Sequence, residues 1–516
     1  MRAKGASPAF RGSRASVARA LLAACLAGGL AGCAVGPNFV PPEPPKVDHY
    51  AEGADPTSTA EAEGQAQRLE RGAQVFGDWW TLFGSAQLDA LMKRAASDNE
   101  TVKAALASLR SSQANLRAGY GIFYPQADAN ATAARQRITL VRFGQSNAQP
   151  TIFNLFSLSG TISYALDIFG GQRRAVESLQ AQADYQTYTA AATYLTLTAN
   201  VVNTVIARAA YGEEAQATQD IVRDQRDQVI ITEAQAEAGT APYASALSLR
   251  SQLAAVEATV PALLQRVSQA EHLLATLAGH LPSEWTAPQV AFSDLKLPDS
   301  VPVSLPSDLV HQRPDILAAE AQLHQASAEI GVATAALFPS INLTASLGGN
   351  NTTLDTLFAP NGTFWSIGAG LAAPLFHGGT LLNKRQAAID AYDQALAAYR
   401  QSVLASFSQV ADVLRALEHD AEILDAQARS MTAAEEALRL VRANYEAGVA
   451  NYVQVLIAFG QYHQARIGYI EASAQRLQDT VALFVALGGG WWDSGRSLLA
   501  ETSAAPKEPE HGAKAQ

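Results

Sequence analysis

Residues 237–243 read Glu-Ala-Gly-Thr-Ala-Pro-Tyr, and residues 446–452 read Glu-Ala-Gly-Val-Ala-Asn-Tyr. Each stretch comes at the end of a long proline-free run, residues 172–238 and residues 380–447. A glycine at such a point is typical of a helix that ends in a left-handed turn. The two stretches therefore predict two long helices, each followed by a turn and by a helix that runs back.

Further landmarks repeat in the same order along the chain. Tyr124-Pro125 matches Phe338-Pro339, and Ile168-Phe-Gly-Gly171 resembles Leu375-Phe-His-Gly-Gly379 with one insertion. Matched landmarks in a constant order are the signature of an internal repeat. The sequence therefore predicts two copies of one structural unit.

The landmarks also predict the domain boundaries. We place the first repeat at residues 76–281 and the second at residues 306–490. Residues 282–305 hold four prolines and are interpreted as an extended linker. The remaining parts are an extended N-terminal segment, residues 33–75, and a polar tail, residues 491–516.

Apolar side chains recur every three or four positions along the second run, which is the spacing of a helix that packs along one face. They are Ile389, Tyr392, Leu396, Tyr399, Val403, Phe407, Val410, Leu414 and Leu417. At 1.5 Å per residue, each long helix would extend roughly 100 Å. Shorter helices are predicted for residues 87–117, 244–279, 315–336 and 453–487.

Four segments alternate apolar with small polar side chains, which indicates strands with two different faces. They cover about residues 124–136, 156–167, 338–348 and 363–374. A soluble sheet and an outer-membrane barrel both produce this alternation. Because known membrane barrels start at about eight strands, four strands predict a sector of a shared barrel, to which three copies would contribute twelve.

The N-terminus has the pattern of a secretory signal. Residues 1–32 contain five basic and no acidic residues and include the apolar run Ala20–Ala31. The run ends in Leu30-Ala-Gly-Cys33, which resembles the lipobox of bacterial lipoproteins. That resemblance implies removal of residues 1–32 and acylation of Cys33; an ordinary signal with a chance cysteine is the alternative.

No transmembrane helix is expected elsewhere. The best candidate, residues 185–207, carries no charge but is interrupted by threonines and asparagines. A spanning helix needs about 20 predominantly apolar residues. If the chain crosses a membrane, it does so with strands closed into a barrel, since only helices and closed barrels satisfy the backbone in lipid.

Charge and motifs exclude several functions. A net charge of -11 argues against nucleic acid as a partner, because phosphate binding needs concentrated Lys and Arg. The sequence has no His-Glu-x-x-His, Gly-x-Ser-x-Gly, Gly-x₄-Gly-Lys or Cys-x-x-Cys motif. We therefore expect neither an enzyme nor a metal or cofactor site.

With these features the chain resembles the TolC-like outer membrane efflux proteins, in their NodT-type lipoprotein branch. Six groups of residues carry the resemblance over nearly the whole mature chain: Cys33-Ala-Val-Gly-Pro-Asn-Phe39; Trp79-Trp80 with Phe83 and Leu88; Arg313-Pro-Asp-Ile316 with Ala319-Glu320; Phe338-Pro-Ser340; Pro374-Leu-Phe376 with Gly378-Gly379; and Ala486-Leu-Gly-Gly-Gly-Trp491.

The resemblance implies a mainly α fold with a membrane β-barrel. A homotrimer would form a 12-stranded barrel in the outer membrane, anchored by lipid and continued by an α-helical barrel across the periplasm. Its function would be the exit duct of a tripartite efflux pump for small toxic molecules or drugs. The partners would be a periplasmic adaptor and an inner-membrane transporter of the RND type; a duct for type I protein secretion is the alternative.

The resemblance also assigns roles around the two turns. Gly239 and Gly448 would mark the closed periplasmic tips, which an adaptor opens. Residues that would dock the adaptor are Thr240, Val449, Tyr243 and Tyr452. Gate residues would be Tyr445 and Val453, although both side chains would also suit simple packing of the turn.

One departure from the family bears on the gate. Many relatives carry Asp and Arg just beyond the second turn, where this chain reads Leu456-Ile-Ala-Phe-Gly460. We therefore expect a hydrophobic constriction instead of a ring of carboxylates. Two rival classes explain less: a coiled-coil lipoprotein leaves the strands unexplained, and a stand-alone porin leaves the long helices unexplained.

Overall fold

The computed structural model describes residues 34–139 and 149–492. The predicted signal peptide, Cys33, and residues 493–516 of the predicted tail lie outside these residues. The chain forms two compact units, and each draws on both halves of the sequence. The sheet unit comprises residues up to 41, 112–183 and 321–397, and the helical unit comprises residues 42–111, 184–320 and 398 onward.

Both units are built from regular elements. In chain order the described strands and α-helices are β1 (Arg68–Arg71), α1 (Ala86–Asp98), α2 (Glu100–Gly119), β2 (Gln126–Ile138), β3 (Thr151–Leu166), α3 (Gly171–Glu237), α4 (Tyr243–Glu257), α5 (Thr259–Leu277), β4 (Ser300–Val303), α6 (Pro306–Gln312), α7 (Pro314–Ala335), β5 (Ser340–Asn351), β6 (Thr363–Ala372), α8 (Thr380–Glu446) and α9 (Tyr452–Ala486).

The sheet unit contains a four-stranded antiparallel sheet in the order β2-β3-β5-β6. Register places Ala127, Ile162, Ala345 and Ile367 in one row across all four strands. The neighbouring row consists of Asp128, Thr161, Ser346 and Ser366, and the hydroxyls of Ser346 and Ser366 lie 2.9 Å apart. One face of the sheet is therefore apolar and the other carries hydroxyl, amide and carboxyl groups.

The outer strands of this sheet each have one edge without a partner in the described chain, because β2 and β6 stand at the two ends of the strand order. Unpaired edges of long strands are sites for pairing with another chain. The apolar face is open as well, with Trp365 and Ile367 exposed for 74% and 79% of their surface.

The two long helices have 67 residues each, about 100 Å at 1.5 Å per residue. Gly212 lies inside α3 without ending it. An 18-residue window of α3 is long and apolar enough to cross a membrane, with a mean hydropathy of 1.3, yet 56% of that window is buried inside the protein. A packed core helix meets the same criteria, so this window is weak evidence for a membrane span.

Two predicted helices are each divided in the structure. The helix expected over 87–117 ends at Asp98, because Asn99 is extended and its side chain accepts from Val102 N at 3.0 Å, which starts α2. The helix expected over 244–279 is interrupted at Ala258. The cause is Pro261, which has no N–H for the carbonyl of Glu257 and whose ring crowds that carbonyl.

The core of the helical unit forms around aromatic residues. Trp79 stacks on Phe484 with ring centroids 5.2 Å apart, and Phe83 packs edge-on against Trp79. The glycines at 488–490 allow this packing: all three have positive φ, and a Cβ at Gly489 would lie 2.1 Å from Leu195. Beside this core, β1 and β4 form a parallel pair that the sequence did not predict.

Candidate functional site

The turns after α3 and α8 have the same backbone hydrogen bonds. Gly239 N donates to Ala236 O at 3.1 Å, and Thr240 N donates to Gln235 O at 2.9 Å. In the second turn Gly448 N donates to Tyr445 O at 3.0 Å, and Val449 N donates to Asn444 O at 2.8 Å. This is the Schellman pattern, in which a left-handed residue satisfies the last carbonyls of a helix.

The left-handed residue is a glycine in both turns. Gly239 has a φ of 73° and Gly448 a φ of 74°. A Cβ at either position would meet nothing within 4 Å. Glycine is thus required here by its backbone conformation and not by a lack of space.

Side chains around the second turn form contacts that the first turn lacks. The ring of Tyr445 meets the ring of Tyr452 edge-on, with centroids 5.4 Å apart. The Tyr445 hydroxyl donates to Gln235 Oε1 at 3.0 Å, which joins α8 to α3. Burial, with a smaller contribution from Tyr445, raises the pKa of Tyr452, so its hydroxyl stays protonated at neutral pH.

A charged pair forms a second link between the same helices. Arg442 Nη2 lies 3.2 Å from Asp224 Oδ2, with both side chains partly exposed. The Arg442 guanidinium also lies over the ring of Phe459, 5.4 Å from its centroid. One arginine therefore contacts α3, through Asp224, and α9, through Phe459.

These side chains line a groove of about 790 Å³ between the two turns. Of the predicted site residues, Thr240, Tyr445, Tyr452 and Val453 line it. Gly239, Gly448, Val449 and Tyr243 lie outside it, and Val449 and Tyr243 are exposed for 80% and 62% of their surface. Gln235, Asp224 and Arg442 were not predicted from the sequence, since nothing in it shows which residues of α3 and α8 meet.

The stretch after the second turn is divided between core and surface. Ala458 and Phe459 are buried and pack with Ile221 and Leu438. Val453 and Ile457, four residues apart on one helical face, are exposed for 58% and 57% of their surface. Apolar side chains are thus available on the surface of α9 just after the second turn.

Each long helix also buries a carboxyl group. Burial, together with the negative charge of Glu471, raises the pKa of Glu214 on α3 to about 7, although Arg266 opposes the shift. On α8, burial and the neighbouring carboxyl group of Asp479 raise the pKa of Asp420. Sequence reasoning had singled out neither residue.

The segment that follows Cys33 is bound to the sheet unit. Val35 N donates to Phe169 O at 3.0 Å, just beyond the end of β3. Arg174 Nη2 donates to Asn38 Oδ1 at 2.7 Å, and the same guanidinium pairs with Glu177. The position of residue 35 relative to β3 is therefore set by direct contacts.

Aromatic stacking and close backbone packing hold the same segment. Phe39 stacks on His324 with centroids 4.4 Å apart. Gly36 has a φ of 94°, and a Cβ there would lie 2.6 Å from the backbone of Gly331. The glycine and the aromatic residue of the Cys33–Phe39 motif thus have structural roles.

Comparison with known proteins gives a consistent result. Residues 91–280 and 305–489 match the family described as Outer membrane efflux protein. The pyoverdine export outer membrane protein OpmQ of Pseudomonas aeruginosa is 31% identical over 425 residues, which cover 81% of this chain and 89% of that protein. The outer membrane protein OprJ of the same organism is 30% identical over 477 residues, covering 91% and 95%.

A solved structure has a similar fold. The open state of the Neisseria gonorrhoeae MtrE outer membrane channel superposes with a TM-score of 0.76 at 25% identity. The match covers 89% of this chain and 98% of that one.

Proposed function

Since the chain belongs to the family of outer membrane efflux proteins, we propose that it is the exit duct of a tripartite pump that carries small toxic molecules or drugs out of the cell. The family is that of outer membrane efflux proteins, and OpmQ is named as a pyoverdine export outer membrane protein, which supports an outer-membrane duct for this chain. The observation that carries the finer proposal is the combination of an open, two-faced sheet with two 67-residue helices in one chain.

The sheet supports a homotrimer. Four strands with an apolar face and two unpaired edges cannot close alone, whereas three copies would pair β6 of one with β2 of the next and form twelve strands. The polar row with Asp128 and Ser346 would then line the lumen, and the row with Ile162 and Ile367 would face lipid. The long helices would form the duct through the periplasm, since about 100 Å is far more than a bilayer requires.

The turns are where we propose that an adaptor docks and the duct opens. Docking would use the exposed Val449 and Tyr243, with Thr240 and Tyr452 at the rim of the groove. Closure would rest on Tyr445 and Val453, and the apolar surface of Ile457 supports a hydrophobic constriction. Opening would separate Tyr445 from Gln235 and Arg442 from Asp224, a shift between packed helices.

We also propose that acyl chains on Cys33 hold the mature protein on the membrane. The contacts of Val35 and Asn38 would keep the anchor close to the end of β3. Each buried CH₂ of an acyl chain contributes about 0.8 kcal/mol, so several chains anchor firmly. Mass spectrometry of the N-terminal peptide tests the modification, and an unmodified Cys33 in membrane-purified protein would exclude it.

Deletion of the protein tests the transported class. We expect higher accumulation of a toxic dye or drug in the deletion strain, restored by the wild-type chain. A strain with unchanged drug susceptibility that fails to export a protein would instead favour type I secretion.

Site-directed crosslinking tests the docking surface. Single cysteines at Thr240 and Val449 should crosslink to one periplasmic adaptor in cells. A cysteine at Thr352, in the loop between β5 and β6, serves as the control and should not react with it. Equal crosslinking from all three positions would refute adaptor docking at the turns.

A further inference from the structure

The four strands of the sheet contain only two basic residues, and both lie on the same face of β2. These are Arg135 and Arg137, which register opposite Asn154 and Ile152 of β3. The alternation of the strand places them on the face that carries Ala127, and not on the face of Asp128. Solvated lumen charges would be expected on the polar face, so the apolar side is an unusual place for them.

Their position along the strand is equally specific. On the apolar face of β3, side chains from Leu166 to Phe156 span ten residues, roughly 34 Å along the strand. With a strand tilt of about 40°, this corresponds to roughly 26 Å in height, close to the apolar band of about 25 Å in outer-membrane barrels. Phe156 registers with Ala133, so Arg135 and Arg137 follow immediately beyond this band.

The arginines lie at the end of β2 that is opposite to its connection with α2. β2 begins three positions after the short helical turn that follows α2, whereas Arg135 and Arg137 come just before the loop that joins β2 to β3. In the proposed orientation the helices are periplasmic, so this loop end is at the outer leaflet. This step rests on the proposed function.

Both side chains are free to bind a ligand. They are exposed, and neither guanidinium has a hydrogen-bond or ion-pair partner among the described residues. Residues i and i+2 of a strand project about 7 Å apart on one face, which allows both to contact one ligand carrying more than one anionic group. The planar guanidinium is suited to bidentate binding of phosphate.

We propose that Arg135 and Arg137 bind the phosphate groups of the glycolipid of the outer leaflet. The lipid-facing position, the placement at the end of the apolar band and the absence of a partner within residues 34–139 and 149–492 all match a phosphorylated lipid headgroup. Clusters of basic residues at a membrane surface recognise anionic headgroups by the same electrostatics. A trimer would carry three such pairs around its outer rim.

The test uses the purified full-length trimer in detergent. It is titrated separately with bisphosphorylated lipid A, with dephosphorylated lipid A and with inorganic phosphate. The measured quantity is the midpoint temperature of thermal unfolding of the trimer. We expect only the bisphosphorylated lipid to raise the midpoint. The variant Arg135→Gln/Arg137→Gln should need at least roughly tenfold more of it, because the charge-assisted hydrogen bonds to phosphate are lost. The control Lys384→Gln/Arg385→Gln removes two charges outside the sheet and should respond like the wild type.

Several results would overturn the proposal: equal stabilisation by the dephosphorylated lipid, equal response to inorganic phosphate, or an unchanged response in the arginine variant. If that variant forms no trimer, the comparison of the two lipids on the wild-type protein decides. A wild-type protein that is not a trimer would contradict the proposed function itself, and that outcome is visible before any lipid is added.

Discussion

The turns at residues 237–243 and 446–452 share a backbone and differ in their side chains. Both end a 67-residue helix with a glycine at a φ near 73° and the same two hydrogen bonds. The second turn is preceded by Arg442 and Tyr445, which occupy the positions of Glu233 and Ala236 in the first. After it comes Val453, where the first repeat has Ala244.

The difference shows that the backbone and the links between helices are specified separately. Each turn has a glycine in its left-handed position, where a residue with a Cβ would be unfavourable. Near the turns, Tyr445 and Arg442 of the second repeat contact Gln235 and Asp224 of the first, and their counterparts Ala236 and Glu233 make no such link in the described chain. The hairpin of α8 and α9 therefore carries the side chains whose release would separate the two hairpins.

The largest expected effect concerns the carboxyl that each long helix buries. Folding raises the pKa of Glu214 from 4.5 to about 7, so between these pH values the folded state keeps a proton that the unfolded state loses. The stabilising contribution is therefore complete below pH 4.5 and disappears as the pH rises to about 7. The difference amounts to about 3 kcal/mol.

Glu214→Gln should remove most of this pH dependence from the thermal midpoint, measured from pH 5 to pH 8. Asp420→Asn makes the corresponding change in the second repeat and should also flatten the profile. If both variants follow the wild-type profile, the two buried carboxyls do not titrate as described.

Removal of the Tyr445 side chain is expected to have the next largest effect, on the equilibrium between the closed and the open duct. Tyr445→Ala makes the second turn resemble the first and removes a hydrogen bond and an aromatic contact, each contributing about 1 kcal/mol. About 2 kcal/mol corresponds to a roughly 30-fold shift toward the open state. Single-channel conductance in planar bilayers should show that increase in open time.

Two further variants divide the Tyr445 effect. Tyr445→Phe keeps the ring and should give only about half of the change in free energy, since the hydroxyl contact with Gln235 is lost. Tyr243→Ala, at the exposed equivalent of Tyr452, should leave the conductance unchanged. A similar increase in open time in the Tyr243→Ala variant would show that the two turns do not differ as described.

Substitution of the two glycines tests what the turns share. Gly239→Ala and Gly448→Ala should each destabilise the protein by about 1–2 kcal/mol, because a Cβ is unfavourable at a positive φ. The two losses in thermal stability should be equal, since neither site has a neighbour within 4 Å of a Cβ. A much larger loss at one glycine would mean that the turns differ in more than their side chains.

Removal of the Arg442 charge is expected to have the smallest effect on the open time. Its pair with Asp224 is partly exposed, and such pairs contribute less than about 1 kcal/mol and weaken with salt. Arg442→Gln should raise the open time a few-fold in 0.15 M salt, and the difference should shrink in 1 M salt. Glu233→Gln at the equivalent position of the first repeat is the control; a larger effect there would reverse the assignment of the links.

Much of the architecture follows from local signals. Gly239, Gly448 and the proline-free runs before them predict the long helices within one residue of their observed ends. Alternation predicts all four strands of the sheet, although β3 starts five residues before the predicted position. These features depend on neighbouring residues, which is why a single sequence reveals them.

Features that depend on distant residues could not be predicted. The pairing of β1 with β4 joins residues more than two hundred positions apart. The bond from Tyr445 to Gln235 requires the relative register of two long helices, which their repeated stripes of apolar residues leave undetermined. The break at Ala258 is different, because it is a local effect of Pro261; the prediction of one continuous helix over 244–279 was wrong although the sequence contains its cause.

The mass of the detergent-purified protein tests the central claim most directly. Multi-angle light scattering, corrected for bound detergent, should give three chains per particle, because four strands with two unpaired edges require partners to close a barrel. A stable, monodisperse monomer in the same detergent would contradict the shared barrel and the duct that depends on it.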